Sequence, residues 1–143
     1  MILIEKKMNL FEVDDKYLFV HCISSDYMLG AGIAVQFQKK FNLKHHLKMV
    51  GDDKYPSCIF LNPVFNLVTK KKYWNKPTYE SLEKSLIILR GMIEELNNGG
   101  DGIKYLAMPK IGCGLDRLSW GRVREMIKEV FKDIDIEILV CHM

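Results

Sequence analysis

A glycine-rich stretch that carries a single carboxylate offers the clearest chemistry in this chain. Residues 109–118 read Pro-Lys-Ile-Gly-Cys-Gly-Leu-Asp-Arg-Leu, which sets two glycines and Asp116 in one turn. The apolar run 103–108 before it predicts a buried strand, and the pattern after Ser119 predicts an amphipathic helix. A strand-to-helix loop lies at the carboxyl edge of an α/β sheet, where backbone N–H groups can hold phosphate. Because a carboxylate is poorly suited to holding an anion, Asp116 is predicted to do chemistry or to bind a sugar hydroxyl.

A second glycine loop, Gly30-Ala31-Gly32, has the same setting. It follows a predicted strand over 18–23 and precedes a predicted helix over 33–41. Two such loops at one sheet edge could clamp a diphosphate, since glycine lets backbone N–H groups approach closely. Neither loop contains the G-x-G-x-x-G fingerprint, and the chain has no P-loop. The alternative interpretation is that both loops are only tight turns.

Lys76 stands before Pro77 at a loop-to-helix boundary, where its amine could reach a bound sugar. A lysine nucleophile needs a depressed pKa, which burial or a neighbouring cation could supply. Taken alone, an exposed lysine is more often solvated and without function. His21 is predicted to be a hydrogen-bonded core residue. Tyr79 and Trp120 are predicted to cover apolar surface near helix starts.

The elements that must position these residues alternate along the chain. The patterns predict helices over 33–41, over 82–96 and after Ser119, and strands over 1–7, 18–23, 57–61, 64–69, 103–108 and 134–141. An Asn62-Pro63 turn joins two of the strands, either as a hairpin or as successive sheet strands. Residues 70–77 are predicted to be loop. The alternation predicts an α/β fold, a three-layer α/β/α sandwich around a mixed sheet of about six strands.

Length and composition narrow the classes of protein further. The 143 residues are enough for one domain, 1–143, and the 21 basic against 18 acidic residues do not identify a nucleic-acid binder. Four cysteines lie far apart, with no C-x-x-C pair and no histidine at metal-ligand spacing. They are predicted to be reduced thiols of a cytoplasmic protein, with no metal site. No apolar run approaches the length of a membrane span, so no membrane partner is expected.

Four segments in order resemble one known family: 21–24 (His-Cys-Ile-Ser), 30–35 (Gly-Ala-Gly-Ile-Ala-Val), 76–80 (Lys-Pro-Thr-Tyr-Glu) and 108–118, which contains the second glycine loop. The chain resembles the macrodomains, and within them the terminal ADP-ribose protein glycohydrolase branch, over essentially its full length. The resemblance implies a macrodomain sandwich that binds ADP-ribose and needs no cofactor.

The same resemblance implies where the ligand lies. It places the first glycine loop around the distal ribose and the second beneath the diphosphate. The lysine that matches Lys76 attacks the anomeric C1″ carbon in that branch, and the aspartate that matches Asp116 assists and then resolves the lysyl adduct. The residues expected to contact ADP-ribose are Asn9, Leu10, Ser24, Gly30, Ala31, Gly32, Ile33, Pro109, Ile111, Gly112, Cys113, Gly114, Leu115, Cys141 and Met143.

Two positions depart from the family pattern. Macrodomains usually carry an aspartate that receives the adenine amino group where this chain has Asn9, whose amide oxygen accepts the same bond without charge. The branch also has an aromatic residue near the adenine where this chain has Cys141. Loss of base stacking there would cost about 1–3 kcal/mol if nothing else covers the base.

The expected activity is removal of mono-ADP-ribose from an acidic protein side chain or a nucleobase of DNA by a monomeric hydrolase, with deacylation of O-acyl-ADP-ribose as a related reaction. The alternatives are a non-catalytic ADP-ribose reader and an ADP-ribose-1″-phosphate phosphatase. A reader has no use for Lys76 and Asp116 together. Lysines at 39, 40, 44, 48 and 70–72 would form either a basic rim suited to nucleic acid or a solvated face.

Overall fold

The computed structural model describes residues 1–143 and contains six strands, four α-helices and one 3₁₀ turn at Leu10–Glu12. The elements in chain order are β1 (Ile2–Lys7), β2 (Leu18–Ser24), α1 (Ile33–Phe41), α2 (Leu43–Val50), β3 (Ser57–Leu61), β4 (Val64–Lys70), α3 (Tyr79–Asn98), β5 (Tyr105–Met108), α4 (Trp120–Phe131) and β6 (Glu137–His142). No helix is long and apolar enough to cross a membrane.

All six strands form one sheet in the order β1-β6-β5-β2-β4-β3. Strand β3 runs antiparallel to β4, and the remaining neighbours are parallel. The mixed sheet is therefore confirmed, and of the two arrangements left open for β3 and β4 the structure has the hairpin.

Helices cover both faces of the sheet. Helices α3 and α4 bury Leu86, Ile93 and Ile127 in one apolar cluster, whereas α1 and α2 bury Phe37 and Leu47 in a second cluster on the other face. The predicted three-layer α/β/α sandwich is confirmed. The helices are amphipathic, so each packs its apolar face on the sheet and leaves its polar face in water.

His21 lies inside the layer between β2 and α1. It is fully buried, its Nε2 lies 2.6 Å from the Asn66 Oδ1, and its ring stacks on Phe37 with centroids 4.0 Å apart. Burial lowers the pKa of His21 to about 4, so the ring is neutral at neutral pH. The prediction of a hydrogen-bonded core histidine is confirmed.

Several elements differ from the sequence-based prediction: β5 and β6 begin two and three residues later than predicted, and two further differences concern α2 and β4. Residues 43–50 were left without an element but form α2, in which only Leu43 and Leu47 are buried, so the apolar stripe is one residue wide. Strand β4 extends one residue beyond the predicted end, to Lys70, which pairs with Ser24 of β2 after a register shift. Lys70 is thus a strand residue at the carboxyl edge and not part of a loop.

The chain leaves β2 and β5 in opposite directions. The loop after β2 leads to α1 on one face, and the loop after β5 leads to α4 on the other. Strands β2 and β5 are neighbours, so a crevice opens between their loops at the carboxyl edge, which is the place where open α/β sheets bind ligands.

Candidate active site

A cleft of about 1210 Å³ occupies this crevice. Both glycine loops line it, together with the ends of β2, β4 and β6. Every residue that the resemblance placed at the ligand lies along this cleft: Asn9, Leu10, Ser24, Gly30, Ala31, Gly32, Ile33, Pro109, Ile111, Gly112, Cys113, Gly114, Leu115, Cys141 and Met143, with Lys76 and Asp116. The structure brings the set together, while the role of each residue stays a prediction.

The two glycine loops face each other across the cleft. A Cβ atom at Gly32 would lie 3.3 Å from the Leu115 Cδ1 of the opposite loop. Gly32 also has a φ of +61°, a left-handed conformation that side chains disfavour, at the N-cap of α1. Glycine is therefore required here both by the backbone conformation and by the close approach of the second loop.

Both loops present unused backbone donors. The N–H groups of Gly114, Leu115 and Asp116 donate to no backbone carbonyl, and neither do those of Ala31 and Gly32. Free amides that converge from a turn and from a helix N-terminus form an anion site, because each donor meets negative charge without competing for an intrachain bond. The arrangement suits a diphosphate held between the two loops.

Gly112 adopts a backbone conformation that side chains disfavour. It has a φ of +72°, and its missing Cβ would lie 3.0 Å from Leu118 Cδ1 and 3.4 Å from Leu82 Cδ2. A larger residue at 112 would therefore strain the turn and crowd these two leucines, while the expected contact of Gly112 with ADP-ribose stays a prediction. A Cβ at Gly114 would meet nothing within 4 Å.

We expect Gly112→Ala to lower the free energy of unfolding by about 1–2 kcal/mol, because alanine pays for the left-handed backbone and presses on Leu118. Gly114→Ala is the matched control, since its φ is not in the left-handed region and its Cβ meets open space. Denaturant unfolding of both variants measures the difference. Equal stability of the two would contradict this account of Gly112.

Lys70 and Asp116 form the only ion pair in the cleft. The Lys70 Nζ donates to the Asp116 Oδ1 at 2.8 Å, and each side chain keeps only 15% of its surface exposed. Strand β4 holds the amine and the loop after β5 holds the carboxylate, so two separate elements of the sheet edge fix their separation. An amine and a carboxylate in contact, partly shielded from water, can exchange a proton and attack an electrophilic carbon.

Lys76 does not contact Asp116. Its side chain is exposed, and its Nζ donates to the backbone carbonyl of Leu115 at 2.6 Å. Both lysines therefore lie at the loop that carries Asp116: Lys70 forms the ion pair with the carboxylate, and Lys76 binds the neighbouring carbonyl, while the predicted role of Lys76 stays a prediction. The contact that Lys76 does make holds the loop one residue before Asp116.

A second carboxylate organises the first glycine loop. The Asp26 Oδ1 accepts bonds from the Ser24 hydroxyl and, at 3.3 Å, from the Met28 N–H, and its Oδ2 accepts one from the Tyr73 N–H at 2.9 Å. These bonds lower the pKa of Asp26, although burial opposes them. Asp26 thus ties the loop after β2 to the segment after β4, and its oxygens are already occupied.

Three of the four thiols lie along the cleft: Cys22, Cys113 and Cys141. Burial raises the pKa of Cys22 and of Cys141, and it raises the pKa of Cys113 to about 11, with the Asp116 charge adding to the shift at Cys22 and Cys113. The thiols are protonated at neutral pH and so are weak nucleophiles. All four cysteines are free.

The far end of the cleft lies beside β1 and β6. The Asn9 Oδ1 accepts the Phe11 N–H at 2.9 Å and so caps the 3₁₀ turn, while Leu10 and Cys141 are buried and Met143 is exposed. Phe11 and His142 also line this end and were not predicted. Phe11 is an aromatic ring that can cover a flat ligand, which Cys141 cannot do.

Other sequence-based expectations have mixed outcomes. Tyr79 and Trp120 begin α3 and α4 and pack against the apolar cluster of these helices, as predicted, and neither lines the cleft. Of the proposed basic rim, Lys39, Lys40 and Lys44 do not line the cleft, and Lys70 is the paired residue described above. No group of three or more His, Cys, Asp or Glu side chains is placed to hold a metal ion.

Lys70 and Tyr73 line the end of the cleft nearest Asp116, and neither is predicted from the sequence as a site residue. A signal for Lys70 existed, because the apolar run 64–69 ends against it and a neighbouring parallel strand ends at Ser24. The carboxyl end of a parallel strand is where ligand-facing side chains are expected. Tyr73 gave no such signal, since only the fold of the segment after β4 turns it toward the cleft.

Comparison with known proteins finds relatives among the ADP-ribose glycohydrolases and the macrodomains. No protein-family model matches the chain. The chain is 42% identical over 145 residues to human ADP-ribose glycohydrolase OARD1, covering 94% of this chain and 87% of that protein. It is 27% identical over 146 residues to the DNA ADP-ribosyl glycohydrolase of Thermus aquaticus, covering 92% of this chain but 39% of that protein. Its fold matches the macrodomain of Thermus aquaticus DarG with a TM-score of 0.82 at 23% identity, over 99% of both chains.

Proposed function

The chain belongs to the macrodomain family, in the branch of the ADP-ribose glycohydrolases, and we propose that it hydrolyses ADP-ribosyl groups through Lys70 and Asp116. It is a hydrolase of ADP-ribosyl groups on proteins or DNA; its relatives are named an ADP-ribose glycohydrolase and a DNA ADP-ribosyl glycohydrolase. The assignment of residues rests on the largely buried ion pair between Lys70, at the end of β4, and Asp116.

The first step proposed is displacement at the anomeric C1″ carbon. The reactive form of the pair has the proton of the Lys70 ammonium moved to the Asp116 carboxylate across their 2.8 Å contact; it is the minor form, because an amine is the stronger base, and it frees the lone pair on the Nζ. The amine forms the N–C1″ bond while the bond from C1″ to the acceptor oxygen or nitrogen breaks, and the bonding electrons leave with the acceptor. A proton from Asp116 or water neutralises the acceptor where its chemistry requires one.

The second step proposed is hydrolysis of the lysyl adduct. Asp116, again ionised, removes a proton from water, whose oxygen attacks C1″ while the N–C1″ bond breaks. The nitrogen electrons take up a proton and regenerate the amine of Lys70. The sum of the two steps is addition of one water molecule across the glycosidic bond, with no oxidant, metal or cofactor.

The choice of Lys70 over Lys76 rests on distance and exposure. Lys70 touches the carboxylate that must move its proton, whereas Lys76 is exposed and held by the Leu115 carbonyl. We therefore assign Lys76 to positioning the loop that carries Asp116. A nucleophile acts with a base within hydrogen-bond reach, and the contact between Lys70 and Asp116 is the observation that supports this choice.

Parallel assays on several ADP-ribosylated substrates test the proposed function. The protein is incubated with a mono-ADP-ribosylated glutamate peptide, an ADP-ribosylated DNA oligonucleotide, O-acetyl-ADP-ribose and ADP-ribose-1″-phosphate, and free ADP-ribose is measured. We expect release from at least one of the first two, and deacylation of the third as a side reaction of the same pair. Binding of ADP-ribose without release from any substrate would support a reader, and release only from ADP-ribose-1″-phosphate would support a phosphatase.

At the far end of the cleft, we propose that Asn9 binds the adenine. Asn9→Asp keeps the cap of the 3₁₀ turn and supplies a charged acceptor, so we expect ADP-ribose affinity to be unchanged or tighter. Asn9→Leu loses the cap and the acceptor, and we expect affinity to fall by about fivefold to tenfold. Calorimetry with free ADP-ribose measures both variants. Undiminished binding by Asn9→Leu would remove Asn9 from the adenine site.

We propose that the active unit is one chain in a reducing compartment, the cytoplasm. Both reacting side chains and the whole cleft come from a single copy, which supports a monomeric enzyme. The four free cysteines support a reducing compartment, since none is paired. Sedimentation of the purified protein tests the monomer.

A further inference from the structure

Two large aromatic side chains stand exposed beside the reacting pair. Tyr73 and Trp74 keep 55% and 64% of their surface exposed, and their ring centroids are 5.0 Å apart in an edge-to-face arrangement. Tyr73 also lines the cleft, three residues after Lys70. Adjacent exposed rings at the mouth of a site are costly to leave in water, which points to a ligand with a flat apolar face.

The turn that carries these rings is fixed by hydrogen bonds. The Asn75 Oδ1 accepts the Lys72 N–H at 2.9 Å, and the Asn75 N–H donates to the Lys72 carbonyl at 2.9 Å. The Tyr73 N–H donates to Asp26, which belongs to the first glycine loop. The rings therefore lie on an ordered turn, and Asp26 links this turn to the loop that lines the cleft.

Free positive charge lies next to the rings. A second cavity of about 440 Å³ borders the same turn and is lined by Lys48, Lys71 and Lys72, with Ser25, Asp26, Tyr27 and Asp53. None of its three lysines takes part in an ion pair, because the ion-paired lysines are those at 54, 70, 84, 104, 128 and 132. Asp26 and Asp53 line the same cavity, so its three lysines against two aspartates leave one positive charge in excess. This excess favours phosphate.

This surface lies on the acceptor side of the cleft. Strand β4 is three strand spacings from β6, about 14 Å, so Lys70 and Tyr73 are far from the end lined by Asn9 and Met143. If the adenine occupies that far end, the acceptor bonded to C1″ leaves the cleft past Tyr73. The aromatic rings and the lysines are then the first surface that the acceptor meets.

We infer that Tyr73 and Trp74, with Lys48, Lys71 and Lys72, form a docking site for the single-stranded nucleic acid that carries the ADP-ribosyl group. The inference rests on the proposed function, since it names the acceptor of that site. Aromatic rings stack on unpaired bases of any sequence, and lysines follow the flanking phosphates. A duplex would keep its bases stacked away from the rings, so the strand must be single where it docks.

Activity on two acceptors provides the first test. We expect Trp74→Ala to lower kcat/KM on a mono-ADP-ribosylated DNA oligonucleotide by about tenfold or more, and Trp74→Phe to restore most of it. Neither variant should change hydrolysis of the ADP-ribosylated glutamate peptide. Ile87→Ala is the control, because Ile87 is 53% exposed on α3 and lines neither cavity. An equal loss on both acceptors, or no loss on DNA, would overturn the inference; a loss on the peptide alone would assign the surface to a protein acceptor.

Binding without catalysis provides the second test and separates the inference from the proposed function. In a Trp120→Phe background Trp74 is the only tryptophan, so its fluorescence reports on the docking site. Unmodified single-stranded DNA, or RNA of the same sequence, is expected to quench it, and the duplex is not. Lys71→Gln with Lys72→Gln should reduce the slope of log affinity against log salt by about 1.4. Quenching in a protein that hydrolyses no substrate would overturn only the proposed function, whereas active protein with no quenching would overturn the docking site.

Discussion

Lys70→Ala is expected to abolish hydrolysis, with kcat falling by about 10³-fold or more, while affinity for free ADP-ribose stays within about tenfold. The alanine removes the amine that contacts Asp116, and the free backbone donors proposed to hold the diphosphate remain. Release of ADP-ribose from the cleaved substrate measures activity, and calorimetry with free ADP-ribose measures binding.

Two control variants decide what Lys70 does. Lys76→Ala should keep kcat within about tenfold of the parent, since that lysine only holds the Leu115 carbonyl. Lys70→Arg keeps a positive charge beside Asp116 but cannot be deprotonated, so it should be as inactive as Lys70→Ala if the amine attacks. Substantial activity in Lys70→Arg would reduce Lys70 to an electrostatic role and leave water activated by Asp116 as the attacking group. Inactivity of Lys76→Ala with full activity of Lys70→Ala would return the nucleophile to Lys76.

Asp116→Ala is expected to lower turnover by about 10²- to 10⁴-fold and to leave ADP-ribose attached to the protein. Without the carboxylate no group activates water against the lysyl adduct, so the second step slows more than the first. Intact-protein mass spectrometry after mixing with substrate should show one added ADP-ribosyl group. Peptide mapping should place it on Lys70.

The double variant Lys70→Ala with Asp116→Ala provides the control for this adduct. It should carry no added mass, because the attacking amine is gone, even though substrate still binds. An adduct that persists in the double variant would come from another lysine of the cleft, such as Lys76. A single variant Asp116→Ala that turns over at the rate of the parent would exclude the carboxylate from the reaction.

The fold was predictable because its elements are local and strongly patterned. Strands 18–23 and 64–69 are mainly apolar, the first broken by His21 and the second by Asn66 and ending in Thr69. The helix containing Leu82, Leu86 and Leu89 repeats at four and three residues and is stopped by glycines. Helix α2 escaped because only Leu43 and Leu47 mark its buried face, which is too narrow a stripe to stand out among lysines and histidines. The choice of hairpin for β3 and β4 was open because local sequence does not report strand direction.

The sequence predicts the two glycine loops and Asp116 as parts of the candidate site. It does not predict which lysine lies beside Asp116. The two glycine loops and Asp116 follow strand ends, so their convergence follows from the topology of a parallel sheet. Which lysine stands beside Asp116 depends on one residue of strand length at the end of β4 and on the register shift at Ser24. A difference of one residue reverses the direction of a strand side chain, and no pattern in residues 70–76 resolves it.

The protonated thiols along the cleft have a consequence for selectivity. Cys22 and Cys113 border the Lys70–Asp116 pair, and a thiolate at either position would compete for the same carbon and trap the sugar as a stable thioglycoside. Burial and the Asp116 charge hold both thiols in the unreactive form, so the electrophile meets one nucleophile only. In the proposed mechanism the carboxylate that moves the proton thus adds to the burial that keeps both neighbouring thiols protonated.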